Sequence, residues 1–462
     1  MGELESRVLS FASTSYCRPC PFVMIWRTLS TSDVPRLHSM SRPSAAAAHH
    51  PISSLALPAP SALFVVNDLR MGGAERTVVN LVNHGRHTRS AVVLIESAAD
   101  LLAELRVEHQ VYTLDGDSAA PVPRQTLEAV VAHAPRRRRG QPRGRTLLEL
   151  PTLFAKARRL AQIAEATNAS VVSTFLNRSH TIALLAQMLF ARRMRVVINV
   201  HEMMSDHLDR HFSTLERWVM RRFVRHAFPL ARAIVAVSEG VKEDLVRRFS
   251  IAPERIAVVP NPLDGERIRR ASQEPIPGAE PAAGSALIVA VGRLVQLKGF
   301  DLLIRAVARL PQSLRARLLI LGEGEQRDTL ERLIAELQLE NRISLLGTKP
   351  NPWTYMARAD VVAVPSRSEA FPNVIGEALA LGRPVIAAAC SPGVAEYLDH
   401  GRFGLLVPPN DVDALAAGLE RILTDGDLRA ELATHAVSRA ESFALPQVIE
   451  RYDRILMEAA RP

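Results

Sequence analysis

Cysteine, aromatic side chains and long apolar runs are all scarce in this chain. Its three cysteines, Cys17, Cys20 and Cys390, are too few for a disulfide framework. Cys17 and Cys20 form one close pair, without the second pair that a structural zinc site requires. That usage fits a reducing cytosol. No run of eighteen apolar residues is present to span a bilayer, so membrane contact is expected to be peripheral. Cys20 to Trp26 is too short and interrupted for a secretory signal core. The densest cluster of arginines, 136–145, has no Phe, Tyr or Trp among it, which disfavours a nucleic-acid surface built on stacked bases.

What is present begins with length. A chain of 462 residues exceeds one ordinary core, so two domains with appendages are expected. Residues 1–60 mix Ser, Pro, Ala and His without a helical or strand period and read as disordered. Met1-Gly2 with Ser6 matches the loose myristoylation pattern, and Met40 offers a second start. The net charge of +9 is local: six arginines fall in 136–145 with no acid, and 9 − 6 leaves +3 elsewhere. This run lies in an expected insertion near 120–148 and reads either as a solvated loop or as a site for an anionic partner.

From Ala62 the texture alternates between buried strands and helices. ALFVVNDL leads into the glycine turn at Gly72 and Gly73 and then a helix; further strands are expected at 91–95, 170–175, 196–201 and 233–237. Such alternation predicts an α/β fold with parallel sheets. His201 ends one strand, with Glu202 beside it, and is either structural or a cleft residue. Ser238 reads as a helix N-cap. Residues 212–228 carry Leu215, Trp218 and Val219 with Arg221, Arg222 and Arg225. Apolar residues at helical spacing ordinarily face a core, although the basic residues also suit an anionic membrane. A Pro-, Gly- and Ala-rich stretch at 263–285 reads as a linker.

In the second half, the apolar run 361–364 predicts a strand, and Pro365 and Pro372 bracket a loop before a helix starting near Asn373. Glu369 then lies at a strand's carboxyl end and Glu377 one turn into the helix, where both can face one crevice. Gly322-x-Gly324 is followed by Arg327 in the third glycine's place, which weakens a dinucleotide fingerprint. Asp115-x-Asp117 and Asp411-x-Asp413 match a short metal signature but read as turn or helix-start residues. Helices are expected at 412–423, 428–442 and 446–460.

The strings VGRLVQLKGFDLLIRA, LLILGEG, LGTKPNPW, PSRSEAFPNVIGEALAL, GRPVIAA and GLLVPPND, in that order along the chain, resemble the family 4 retaining glycosyltransferases. The resemblance covers most of 62–413. It implies the GT-B architecture: two facing Rossmann-like domains with parallel sheets and an interdomain cleft. Residues 61–262 would form the acceptor-side domain, 286–443 the nucleotide-sugar donor domain, and 444–462 a helix returning to the first. Implied roles place Glu369 and His201 at the reacting sugar and Glu377 on the ribose. Arg293 and Lys298 would lie on the diphosphate, with Gly72, Gly73, Phe371 and Asn373 as further substrate contacts. The expected reaction is retaining, metal-independent hexosyl or N-acetylhexosaminyl transfer from a UDP- or GDP-sugar, with no cofactor. The acceptor class considered is a lipid-linked or polysaccharide precursor, on the cytoplasmic side of the plasma membrane. Ala370, where the family commonly has glycine, and Gly376, inside a helix, are departures from its pattern. A sugar-nucleotide epimerase of the same fold and a nucleic-acid-binding protein are the competing readings.

Overall fold

The structure is a computed structural model that describes residues 61–70, 72–86, 89–96, 100–115, 120–126, 150–276 and 286–461, all within the unit Leu57–Pro462. The expected disordered segment 1–60 with Cys17 and Cys20, the arginine run 136–145, Asp117 and the linker's last nine residues, 277–285, lie outside the described residues.

Two sheets carry the fold. The first holds β1 (Ser61–Val66), β2 (Arg89–Leu94), β3 (Gln110–Thr113), β4 (Val171–Phe175), β5 (Val196–Val200), β6 (Ala233–Ala236) and β7 (Ile256–Val258) in the order β3-β2-β1-β4-β5-β6-β7. The second holds β8 (Leu287–Val291), β9 (Arg317–Leu321), β10 (Ile343–Gly347), β11 (Val361–Val364), β12 (Val385–Ala388) and β13 (Leu405–Val407) in the order β10-β9-β8-β11-β12-β13. Every strand pairing is parallel, as the alternation predicts. Strands such as VVAV and VIAA are apolar at each position because helices cover both faces of a parallel sheet. Each order reverses once, between β1 and β4 and between β8 and β11. At such switch points the loops leaving neighbouring strands diverge and open a crevice. Gly72–Gly73 follows β1, Gly292–Lys298 follows β8, and Glu369 follows β11.

One core packs β1, β2 and β4 against the helix Gly73–His84 and also takes in Leu445, Val448, Ile449, Tyr452, Leu456 and Ala459 from the helix Leu445–Ala459. Tyr452 is tied to the first sheet by a hydroxyl pair with Ser173 Oγ at 2.5 Å. The other core draws only on 288–432. Two backbone bonds, Leu263 N to Phe443 O and Leu445 N to Leu263 O, bind the two chain segments that run between the sheets.

The helix Thr214–Ala227 forms where the basic amphipathic stretch was noted, but core packing does not account for it: only Val224 and Ala227 are buried, while Leu215 and Trp218 face outward.

Candidate active site

The loop after β11 is held against the loop after β8 by fixed contacts. Gly299 has φ +65° and lies so close to the Pro365 carbonyl that a Cβ there would sit 2.2 Å from its oxygen, so only glycine fits the approach. Arg367 N donates to Leu297 O, and its guanidinium makes two 2.7 Å bonds to Asp301. Burial alone would raise the Asp301 pKa, but the Arg367 bonds and charge bring it below the usual value. This bidentate clamp delivers Lys298 to Glu369, Nζ to Oε1 at 2.5 Å, while Ser366 Oγ donates to the same oxygen at 2.8 Å. Lys298's stem runs along Gly292, and Arg293 is exposed on the same loop. Cys390 lies near enough to Glu369 that burial, with the carboxylate's charge, pushes its thiol up to about 12, so it stays protonated.

Glu377 lies on the helix Asn373–Ala380 and helps to line a pocket with Arg76, Asn80, Asn261, Asp264 and Trp353. Burial raises its pKa, with the Arg76 charge and the Trp353 indole pulling the other way. The guanidinium groups of Arg76 and Arg267 both approach the Trp353 ring, each 5.7 Å from its centroid. Both arginines also pair with Glu104, at 3.0 and 2.6 Å. Gly376 has a local reason: a Cβ there would meet Tyr397 Oη at 2.1 Å.

The two sheets meet through side-chain amides. Asn261 Nδ2 donates to Asn373 Oδ1 at 2.7 Å, and Thr77 Oγ1 to Asn261 Oδ1 at 3.1 Å. Gly73 backs directly onto the Asn373 amide, where a Cβ would be 3.3 Å from Nδ2. Beside this seam Ser238 caps the helix Glu239–Phe249, as expected, and also donates to Ala370 O at 3.4 Å. Phe371 is placed differently from the other expected contacts: its ring is buried in an aromatic cluster, stacked 4.0 Å from Tyr397 and edge-on to Phe443.

His201 follows β5 with its ring 5.4 Å from Phe175 and its Nδ1 buried without a partner. Burial holds its pKa down at about 4, with the neighbouring Asn261 amide and the Glu202 charge acting in the opposite sense, so the ring is neutral near pH 7. Glu202 is fixed by Asn177 Nδ2 at 2.7 Å and His207 Nδ1 at 2.9 Å. The structure therefore brings Lys298 to Glu369, and Gly73 to Asn373 on the helix that carries Glu377. Arg76 and Trp353 are the residues the sequence reading did not assign. Trp353 closes the LGTKPNPW string, and Arg76 stands three residues beyond Gly73, so each was adjacent to a recognised segment.

Residues 71–267 match Glycosyltransferase Family 4, and residues 273–439 match Glycosyl transferases group 1. A Campylobacter jejuni N-acetylgalactosamine-N,N'-diacetylbacillosaminyl-diphospho-undecaprenol 4-alpha-N-acetylgalactosaminyltransferase is 37% identical over 297 residues, 64% of this chain and 78% of that enzyme. The Rhizobium meliloti lipopolysaccharide core biosynthesis glycosyltransferase LpsE is 36% identical over 33% of this chain and 43% of its own length. Among solved structures, Anabaena Alr3699/HepE in complex with UDP-glucose superposes with a TM-score of 0.66 at 22% identity, covering 86% of this chain and 99% of that one, which establishes the GT-B fold. With two parallel sheets facing one seam, both family matches and a 37% identical relative, the chain belongs to the family 4 glycosyltransferases, which use nucleotide-sugar donors.

Proposed function

We propose that this enzyme transfers an N-acetylhexosamine from a UDP-sugar to a polyprenyl-diphosphate-linked saccharide, with retention and without a metal ion. The observation that carries the reading is the Lys298–Glu369 pair at the switch point of the second sheet. A departing nucleoside diphosphate gains negative charge, and a preorganised ammonium with a neighbouring guanidinium, Arg293, stabilises it. Glu369, held by Lys298 and Ser366, is oriented to accept from sugar hydroxyls. Glu377 takes the ribose hydroxyls in the pocket beside Trp353. Neutral His201 offers a hydrogen bond at the acceptor side without adding charge. The uridine donor is supported by the UDP and UDP-glucose complexes of HepE, and the lipid-linked acceptor by the name of the Campylobacter relative.

A thermal-shift panel of UDP, GDP, ADP and their sugars tests the donor, because a ligand that binds only the folded state raises the midpoint. UDP and UDP-N-acetylhexosamines are expected to give the largest shifts. A larger shift with GDP-sugars would overturn the donor assignment. Release of an altered donor sugar without an acceptor would mark an epimerase.

A further inference from the structure

Six large apolar side chains are left exposed among the described residues, and five of them, Leu189, Phe190, Leu215, Trp218 and Leu230, fall in two short stretches of the first domain. Leu215 and Trp218 are 57% and 52% exposed on the helix Thr214–Ala227. Leu230 follows that helix directly, and its carbonyl accepts from Gln187 Nε2, which brings it to the end of the helix Asn177–Leu189.

The charges around these residues are mainly positive. Residues 214–232 contain five arginines and a single acid, Glu216, which is spent on the capping box with Ser213. Arg217 and Arg221 reach Asp209 at 3.1 and 3.4 Å. Arg222 and Arg225 find no carboxylate partner among the described residues, and Arg222 lies 5.3 Å from the Trp218 ring centroid. Residues 189–195 add two exposed arginines, Arg192 and Arg193, without an acid, while Arg195 is turned to the Ala460 carbonyl. Leu215, Trp218, Arg222 and Arg225 are spaced by three, four and three, so they share one helical face.

We propose that this face is the seat on which the enzyme lies against an anionic lipid bilayer. An exposed tryptophan and leucine flanked by unneutralised arginines match the interfacial zone, where indole rings rest at headgroup level and guanidinium groups meet phosphates. A second copy of the chain is a poor occupant, because a symmetric contact would bring the same arginines against one another. The site also borders the cleft. The neighbouring helix Met204–His211 reaches the second domain, where Asp206 accepts from Ser368 Oγ at 3.2 Å, next to Glu369. Binding is read without turnover, so this proposal stands apart from the choice of donor and acceptor.

The test is co-sedimentation of the full chain with vesicles of neutral phosphatidylcholine and of phosphatidylcholine with phosphatidylglycerol, at low and high salt. The wild type is expected to prefer the anionic vesicles and to lose that preference as salt rises. Arg222→Ser with Arg225→Ser should weaken partitioning by roughly 30-fold, at roughly fivefold per arginine near an anionic surface. Leu215→Ser with Trp218→Ser should weaken it by at least about tenfold. All four positions are exposed, so unchanged melting and far-UV circular dichroism would verify the fold of both variants. Equal binding to neutral vesicles, or unchanged binding by both pairs while replacement of Arg136 to Arg139 abolishes it, would overturn the proposal. So would a wild type that binds no vesicle.

Discussion

Lys298 Nζ stands 2.5 Å from Glu369 Oε1, with Ser366 on the same oxygen. The contact joins the loops after β8 and β11 at the point where strand order reverses, and the Arg367–Asp301 clamp holds it there. In the proposed reading it forms where a diphosphate and its sugar would sit side by side.

Replacing Lys298 by Met is therefore expected to cut kcat/KM by at least about tenfold, since one charge-assisted contact contributes roughly 1.5–3 kcal/mol. Glu377→Ala and the pair Arg293→Ala with Lys298→Ala should remove most transfer while leaving the melting temperature nearly unchanged. Near-normal transfer by a folded Glu377→Ala protein would remove the ribose assignment.

Gly376→Ala is expected to destabilise the fold by about 1–3 kcal/mol, because the new methyl would overlap the Tyr397 hydroxyl at the packed start of the site helix. Combining it with Tyr397→Phe should recover part of the loss. Denaturant midpoints of the two single variants and the double measure the coupling.

Two desolvated imidazoles set a pH dependence. Burial holds His201 at about 4 and His180 at about 3, against 6.5 for an ordinary histidine. The unfolded chain then binds more protons as pH falls below about 6.5, so their stabilisation is full above that value and is lost toward pH 4 and below. For His201 alone this amounts to on the order of 3 kcal/mol. Glu104, Glu202 and Asp301, with lowered pKa values, act in the same direction on further acidification; Glu377 and Glu396, with raised values, act against it. Unfolding midpoints should fall between pH 7.5 and 4.5, and NMR signals of both rings should stay fixed from pH 8 to 5. A titration of either ring near 6.5 would contradict the assignment.

Transfer should persist in EDTA. Asp411 is occupied as the cap of the helix Val412–Thr424, accepting from Ala414 N at 2.9 Å, and Asp413 pairs with Arg309. Asp115 is held by Lys156 at 2.5 Å. Loss of turnover on chelation, restored by Mg²⁺ or Mn²⁺, would show that Arg293 and Lys298 do not suffice.

The sheets were legible because buried parallel strands write themselves as apolar runs. Glu369 could be placed from the end of such a run, and Asn373 from the proline before its helix. In the first sheet, β3 and β7 were not expected, because four and three residues carry too little pattern. The meeting of Trp353 with Arg76 and Arg267 could not be read locally, since it arises only when separate segments come together across the seam. The reason for Gly376 lies in Tyr397, on another helix. An amphipathic pattern also cannot tell whether its apolar face is covered, and for Leu215 and Trp218 it is not.

The helix Leu445–Ala459 gives the chain an inverted order of assembly. During synthesis, the first core lacks six of its apolar members and the Tyr452 partner of Ser173 until the last helix has left the ribosome, whereas the second core can close from 288–432 alone. Such distant closure is entropically slow and leaves apolar surface open to aggregation. A chain ending at Ala444 should accordingly retain a cooperative transition from the later-made half while its earlier-made half digests readily in pulse proteolysis.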